Sequence, residues 1–267
     1  MELKEDQIYR YSRHILLPEI GGEGQARLLR ARVFCLGVGG LGSPIALYLA
    51  AAGVGKIGIA DSDRVDISNL HRQVLHYTED IGKPKTDSAR EKLEKLNPDV
   101  DIVVYNDPIS KNNIRNIIRD YDIIIDGSDN FPTRYLLNDV CYFERKTLVS
   151  GAIFQFEGQV SVFKPYAGGA CYRCLYPEIP PEGMMPSCQE AGILGAVAGT
   201  IGTLQAVEAL KQILRIGEPL VDRLLIFNAL DMSFNTVNVK RDPGCRLCGE
   251  NPSINEVEEY TQYDCEL

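Results

Sequence analysis

No segment limits the fold of this chain more than Arg32-Val33-Phe34-Cys35-Leu36-Gly37-Val38-Gly39-Gly40-Leu41-Gly42. A short apolar run stops at glycines, and the alanine-rich stretch from Pro44 to Ala52 has helical composition with a proline in its first turn. The order is therefore strand, tight loop, helix. Within the loop Gly37 makes the turn, Gly39 lets a phosphate approach the backbone, and Gly42 packs helix on strand. The N–H groups and helix dipole at that point favour an anion. A second run, Lys56 to Ala60, ends at Asp61 about 20 residues beyond the loop, where a parallel βαβ unit places an acceptor for ribose hydroxyls. The spacing predicts a nucleotide site. The glycines alone do not separate NAD from ATP, and a turn used only for packing would carry the same residues.

Further strands and helices continue the same pattern. Lys85 to Leu96 has helical periodicity and stops at Asn97-Pro98, and Asp101 to Tyr105 reads as a third strand. Tyr121 to Asp126 has a continuous apolar centre suited to a strand buried on both faces. Thr147 to Ser150, Gln159 to Phe163, Arg223 to Asn228 and Thr236 to Lys240 read as later strands, the last ones alternating. The predicted architecture is α/β: a Rossmann-like, mostly parallel sheet with a mixed or antiparallel C-terminal extension. With 267 residues and 45% apolar composition the chain can bury one large core. It is read as a single domain, with a nucleotide-binding half over 1–165 and a second half over 166–267. Tyr176 to Gln189, rich in proline, is expected to be a long irregular loop.

Charge and composition exclude some partners. A formal charge of -9, with no Lys/Arg run, argues against a nucleic-acid backbone. The N-terminus lacks a signal-peptide core, and the apolar stretch Ile193 to Leu214 is interrupted by Gln205, Glu208, Lys211 and Gln212. No membrane span is expected, the stretch is read as a buried or interface helix, and the cytoplasm is the expected compartment.

The segment after Asp61 favours a triphosphate. Ser68, Asn69, Arg72 and Gln73 follow the ribose acid and Lys85 opens a helix, so two cations stand ready for a leaving pyrophosphate. An NAD-dependent dehydrogenase, the alternative enzyme class, has no leaving group for them to stabilise. Asp126-Gly127-Ser128-Asp129-Asn130, at a strand's carboxyl end, offers a hard oxygen ligand for Mg²⁺ at Asp129, although such a turn often is only a turn. Cys171-x-x-Cys174 and Cys245-x-x-Cys248 together complete a Cys₄ set for structural zinc, with redox pairs or disulfides as the alternative. Cys35 and Cys141 read as core packing and Cys265 lies in a polar tail. Cys188, ahead of the helix from Ile193, is the candidate nucleophile because a helix dipole lowers a thiol pKa. A loop cysteine used for packing is its plainer reading.

These motifs, with Ser187-Cys188-x-Glu-Ala-Gly, together resemble the ubiquitin-activating-like adenylyltransferases of sulfur-carrier pathways, over nearly the whole chain. The resemblance is strongest to the molybdopterin and thiamine-thiazole branches. It implies ATP at the sheet's switch point and a small ubiquitin-like sulfur-carrier protein whose Gly-Gly tail is adenylylated. It further implies a homodimer, with Gly40, Asp61, Asn69, Arg72, Lys85, Asp129 and Asn130 at ATP. Arg13, otherwise an ordinary helix-surface charge, would reach into the partner's site. Some relatives carry a C-terminal sulfurtransferase domain; none is expected here, so sulfur would come from a separate donor protein. A zinc-stapled binding module without catalysis is the third reading, disfavoured because every phosphate-contact candidate is present.

Overall fold

The computed structural model describes residues 3–180 and 191–260. One sheet of eight strands runs through it: β1 (Arg32–Leu36), β2 (Lys56–Ala60), β3 (Asp101–Tyr105), β4 (Ile123–Asp126), β5 (Thr147–Phe154), β6 (Glu157–Phe163), β7 (Arg223–Asn228) and β8 (Ser233–Asn238), in the order β3-β2-β1-β4-β5-β6-β7-β8. The first five strands pair in parallel and the last three antiparallel.

Helices cover both faces because β1 alternates. Val33 and Cys35 point to one core, with Ile57, Ile59, Ile123 and Ile125 from the flanking strands. That core is closed by α3 (Gly21–Arg30), α4 (Gly42–Ala51), α5 (Lys85–Leu96) and α9 (Gly195–Leu214). Phe34 and Leu36 point the other way, to α6 (Ile114–Ile118) and α7 (Phe131–Phe143). Two short N-terminal helices, α1 (Glu5–Arg10) and α2 (Ser12–Ile15), lead into α3, and the single turn α8 (Tyr172–Leu175) carries the first cysteine pair. Period-two alternation on strands buried from both sides is what a doubly covered sheet demands.

The predicted strands all form, with shifted ends. β5 continues through Gly151 to Phe154 and β6 starts at Glu157, because the two pair antiparallel as a hairpin closed by Gln155 at φ 51° and Phe156. β8 begins three residues earlier than expected: Asn228 pairs with Ser233, and Asn228 and Asp231 each accept a backbone N–H in the connecting turn. Helix α9 starts at Gly195 rather than Ile193. Gln205 and Glu208, which interrupt its apolar run, are buried and hydrogen-bonded. Gln205 donates to the carbonyl of Asp126 at 2.7 Å, and Glu208 accepts from Leu220 N–H at 2.9 Å. Among the described residues no helix is long and apolar enough to cross a membrane.

Candidate active site and metal centre

The strand order reverses beside β1, since β2 and β3 lie on one side and β4 and β5 on the other. Ligands of such sheets bind outside the carboxyl ends of the strands at that point. A cavity of about 330 Å³ opens there. Gly37, Gly39 and Gly40 come from the loop after β1, Asp61 from the end of β2, and Asp129 and Asn130 from the loop after β4. Arg72, Gln73 and Lys85 complete the predicted set that lines it. Glycine is required at the first loop position: Gly37 has φ +89°, and a Cβ would meet the Gly127 carbonyl oxygen at 2.7 Å. At Gly42 a Cβ would overlap the Gly37 carbonyl oxygen, so the third glycine is a packing contact and not a cavity wall.

Asp61 ties the loop to β2. Its Oδ2 accepts Val38 N–H at 3.0 Å and its Oδ1 accepts Asp63 N–H at 2.9 Å, which leaves each oxygen a further lone pair for a ribose hydroxyl. Burial raises its pKa, opposed by the charge of Lys85 and by these N–H donors. Lys85, 5% exposed, places its Nζ 2.8 Å from Asp63 Oδ2. Arg72 donates to the Ser68 carbonyl at 3.0 Å. Gln73 is 4% exposed, and its Oε1 has no protein partner among the described residues. A buried acceptor without a donor is costly. It fits a site whose ligand brings hydroxyl or amino hydrogens, as a nucleoside does.

Behind the loop a buried hydrogen-bond chain fixes the Val38 peptide. The Val38 carbonyl can only accept, so His76 carries its proton on Nε2 and donates at 3.0 Å, while Nδ1 accepts from Ser88 Oγ at 2.9 Å. Ser88 Oγ accepts in turn from Lys92 Nζ at 3.0 Å, and Lys92 also donates to Asp80. The trans peptide then turns Gly39 N–H away from His76. Neither Gly39 N–H nor Gly40 N–H finds an acceptor among the described residues. Burial lowers the His76 pKa to about 4, with Lys85 and Lys92 adding to it and the Val38 carbonyl and Asp80 opposing. For Asp80, burial pushes upward but is outweighed by hydrogen bonds from Lys92, Tyr77 N–H and Lys83, which hold it far below the usual carboxylate range.

A second cavity, of about 410 Å³, lies over β5 and β6 and is walled by Phe154, Glu157, Gln159 and Tyr176 among others. It shares Asp129, Asn130, Arg134 and Ile153 with the first, so the two meet at the N-terminus of α7. Asn130 caps that helix by accepting Thr133 N–H at 3.0 Å. Asp126 beneath is fully buried. Desolvation raises its pKa against the charge of Arg134 and hydrogen bonds from Ser128 and Ser150.

The cysteine pairs converge as predicted. Sγ atoms of Cys171, Cys174, Cys245 and Cys248 lie within 4.8 Å of one another, with separations of 3.9 Å for Cys171–Cys174, 3.7 Å for Cys171–Cys245 and 3.4 Å for Cys174–Cys248. A tetrahedron with Zn–S bonds of about 2.3 Å has edges of about 3.8 Å, so the sulfurs fit a closed structural site. Next to them Arg173 forms a two-pronged ion pair with Asp139 of α7, at 2.9 and 2.8 Å, and Tyr260 contacts both partners.

Other predicted residues stand elsewhere. Ser68 and Asn69 do not line the cavity; Asn69 acts from behind, its carbonyl accepting the N–H groups of Arg72 and Gln73 at 3.0 Å each. Arg13 is exposed on α2 and lines neither cavity. Cys188 lies outside the described residues. Sequence reasoning missed Asp107, Pro108 and Ile109 after β3, which line the first cavity, along with His76 and Arg134. For Arg134 a signal existed: Asn130 followed by Pro132 marks a helix start, which puts Arg134 in a first turn beside the loop.

The chain is similar to several known proteins. The sulfur carrier protein adenylyltransferase of Thermus thermophilus is 48% identical over 267 residues, 98% of each chain. The SAMP-activating enzyme E1 of Haloferax volcanii is 48% identical over 97% of this chain and 95% of its own. Crystalline MccB from E. coli superposes with a TM-score of 0.78 over 95% of this chain and 75% of its own, at 22% identity, a likeness of fold. The ThiF family model matches residues 11–247, from just after α1 to Leu247, inside the second cysteine pair. On that match and on these relatives, the chain belongs to the ThiF family.

Proposed function

We propose that this chain adenylylates the C-terminal Gly-Gly carboxylate of a small ubiquitin-like sulfur-carrier protein with ATP, for molybdopterin or thiamine-thiazole biosynthesis. The observation that carries this reading is the junction of two cavities: a nucleotide site at the switch point opens at Asp129 and Asn130 into a second cavity able to admit an extended tail. The names of the relatives from Thermus thermophilus and Haloferax volcanii support it.

A lone pair of the carrier carboxylate forms the new bond to the α-phosphorus, the bond from that phosphorus to the bridging oxygen breaks, and pyrophosphate departs with the electron pair. No proton moves, because the carboxylate is ionised near neutral pH. What the reaction asks of the protein is alignment and charge neutralisation. Gly39 and Gly40 offer N–H groups to phosphate, Asp61 and Gln73 take the ribose or base, and Arg72 and Lys85 face the phosphates. Lys85 must exchange Asp63 for phosphate on binding, an exchange between two anionic partners. Mg²⁺ held by Asp129 would neutralise phosphate charge. Zinc on the four cysteines would staple the second half to the sheet.

The same reading includes one domain over 1–267, with halves at 1–165 and 166–267, and a homodimer in the cytoplasm whose Arg13 enters the partner's site. A separate protein donates sulfur, with Cys188 as the nucleophile of that later step. Carrier-dependent exchange of pyrophosphate into ATP, with mass detection of the carrier adenylate, tests the central claim. Exchange that is absent with every Gly-Gly carrier, or that proceeds equally without one, would refute it.

A further inference from the structure

We propose that His76 is a positioning residue for phosphate binding, selecting the orientation of the Val38–Gly39 peptide that aims Gly39 N–H into the nucleotide cavity. The assignment rests on the function proposed above. Gly39 has no Cβ, so its φ is free on both sides of zero and the peptide before it can turn over at little steric cost there. Turned over, that peptide would present the Val38 carbonyl oxygen to the phosphates, negative against negative. Two side chains hold the carbonyl in the productive orientation. His76 Nε2 donates to it at 3.0 Å and Ser43 Oγ at 3.3 Å. The usual O–H···O range is about 2.5–3.0 Å, so the imidazole is the firmer hold. His76 and Val38 are both buried, and removal of the donor would leave the carbonyl poorly paired.

The proton on Nε2 is fixed from the other end of the chain. Lys92 can only donate, and its Nζ spends its protons on Asp80, on the Ser88 carbonyl at 3.2 Å and on Ser88 Oγ at 3.0 Å. Ser88 Oγ, accepting from Lys92, turns its own proton to His76 Nδ1 at 2.9 Å, which leaves the neutral ring only Nε2 to carry a hydrogen. Every link runs in one direction, from an ammonium toward Gly39 N–H, so each donor polarises the next. Ser88 stands one turn after Lys85 on α5. One helix thus supplies a phosphate cation at its start and, from its next turn, the orientation of the loop that faces it.

The test compares the full-length protein with His76→Leu, which removes the donor, and His76→Gln, whose amide can donate to Val38 and accept from Ser88. Calorimetry gives the Kd for ATP with Mg²⁺ and the Kd for adenosine, which has no phosphate for Gly39 N–H to meet. In His76→Leu the preference for ATP over adenosine should fall about 10-fold, the lower end for a hydrogen bond to a charged group, with adenosine affinity changed by less than about 2-fold. His76→Gln should recover the preference to within about 3-fold of wild type. A merely structural histidine would weaken both ligands alike. If His76→Leu does not fold, Ser88→Ala, which keeps the ring but frees its tautomer, decides by the same ratio, with a fall of about 3-fold expected. Nitrogen-15 NMR of the wild type, with the His76 signals identified by their loss in His76→Gln, should show the proton on Nε2 and none on Nδ1. The opposite tautomer overturns the assignment, as does an unchanged ratio in the deciding variant, an equal weakening of adenosine, or no recovery in His76→Gln. Wild-type protein that binds ATP no better than adenosine and exchanges with no Gly-Gly carrier overturns the function and the assignment together, whereas normal wild-type exchange with an unchanged variant ratio overturns His76 alone.

Discussion

Acidification should weaken this fold through His76, and the size of the effect follows from the buried chain behind the nucleotide loop. In the unfolded chain His76 takes a proton near pH 6.5, while in the folded protein it resists protonation to about pH 4. Between those values the unfolded state holds one more proton, so the free energy of unfolding falls as pH falls, by about 1.4 kcal/mol per pH unit. From pH 7 to pH 5 that amounts to about 2 kcal/mol from this residue alone. His76→Gln isolates it: a glutamine amide can donate to the Val38 carbonyl and accept from Ser88, yet it does not titrate. Urea unfolding of both proteins at pH 7 and pH 5, with zinc present, gives two differences. Asp61, Asp80 and Asp126 contribute equally to each and cancel. The wild type should lose about 2 kcal/mol more than the variant. Equal losses within about 0.5 kcal/mol would refute a neutral, hydrogen-bonded His76.

Gently purified protein should contain about one zinc per chain, and Cys174→Ser should lower the melting temperature more than the turnover of the protein that stays folded; metal analysis and thermal melts decide this. Asp129→Ala should reduce carrier-dependent pyrophosphate exchange by about 10²-fold, and normal exchange at limiting Mg²⁺ would remove Asp129 as the metal ligand. Mixing Arg13→Ala with Asp129→Ala chains should restore one working site per heterodimer, measured as regained exchange after subunit exchange; no recovery would argue against action in trans.

The parallel core was readable because its signals are local. An apolar run, a glycine loop and an acid about 20 residues later describe one βαβ unit with little help from the rest of the chain. The Cys-x-x-Cys pairs were readable for the opposite reason: 70 residues separate Cys174 from the Cys245 pair, but four thiolates have few other uses together. What was lost depended on partners far away in sequence. Asn130 was assigned to ATP by resemblance but its capping of α7 was not read, and Arg134 was not read at all, since only the overlap of two cavities gives the first turn of α7 its meaning. His76 lies 38 residues from the carbonyl it holds, and no spacing rule links the two. Ser68 was placed at the nucleotide by its position after the ribose acid and Asn69 also by resemblance; in the structure neither lines the cavity, and their carbonyls accept from Arg72 and Gln73. β8 was misplaced because alternation fixes which residues share a face but not where a strand begins, and the Asn228–Ser233 pairing across the turn sets that.

Helix α7 has its first turn at the meeting of the cavities and its far end against the cysteines. Tyr142 and Phe143 pack on the cluster of Cys171, Cys245, Leu247 and Cys248, and Asp139 grips Arg173 between the two cysteines of the first pair. A buried ion pair of this kind tolerates little displacement, since a lone charge in its place costs roughly 3–5 kcal/mol. The helix therefore has both ends engaged, so a disturbance at the cysteines would have a continuous rigid element through which to reach Asn130 and Arg134. Oxidation at those sulfurs would then be expected to disturb the junction of the two cavities as well as the cysteine cluster itself.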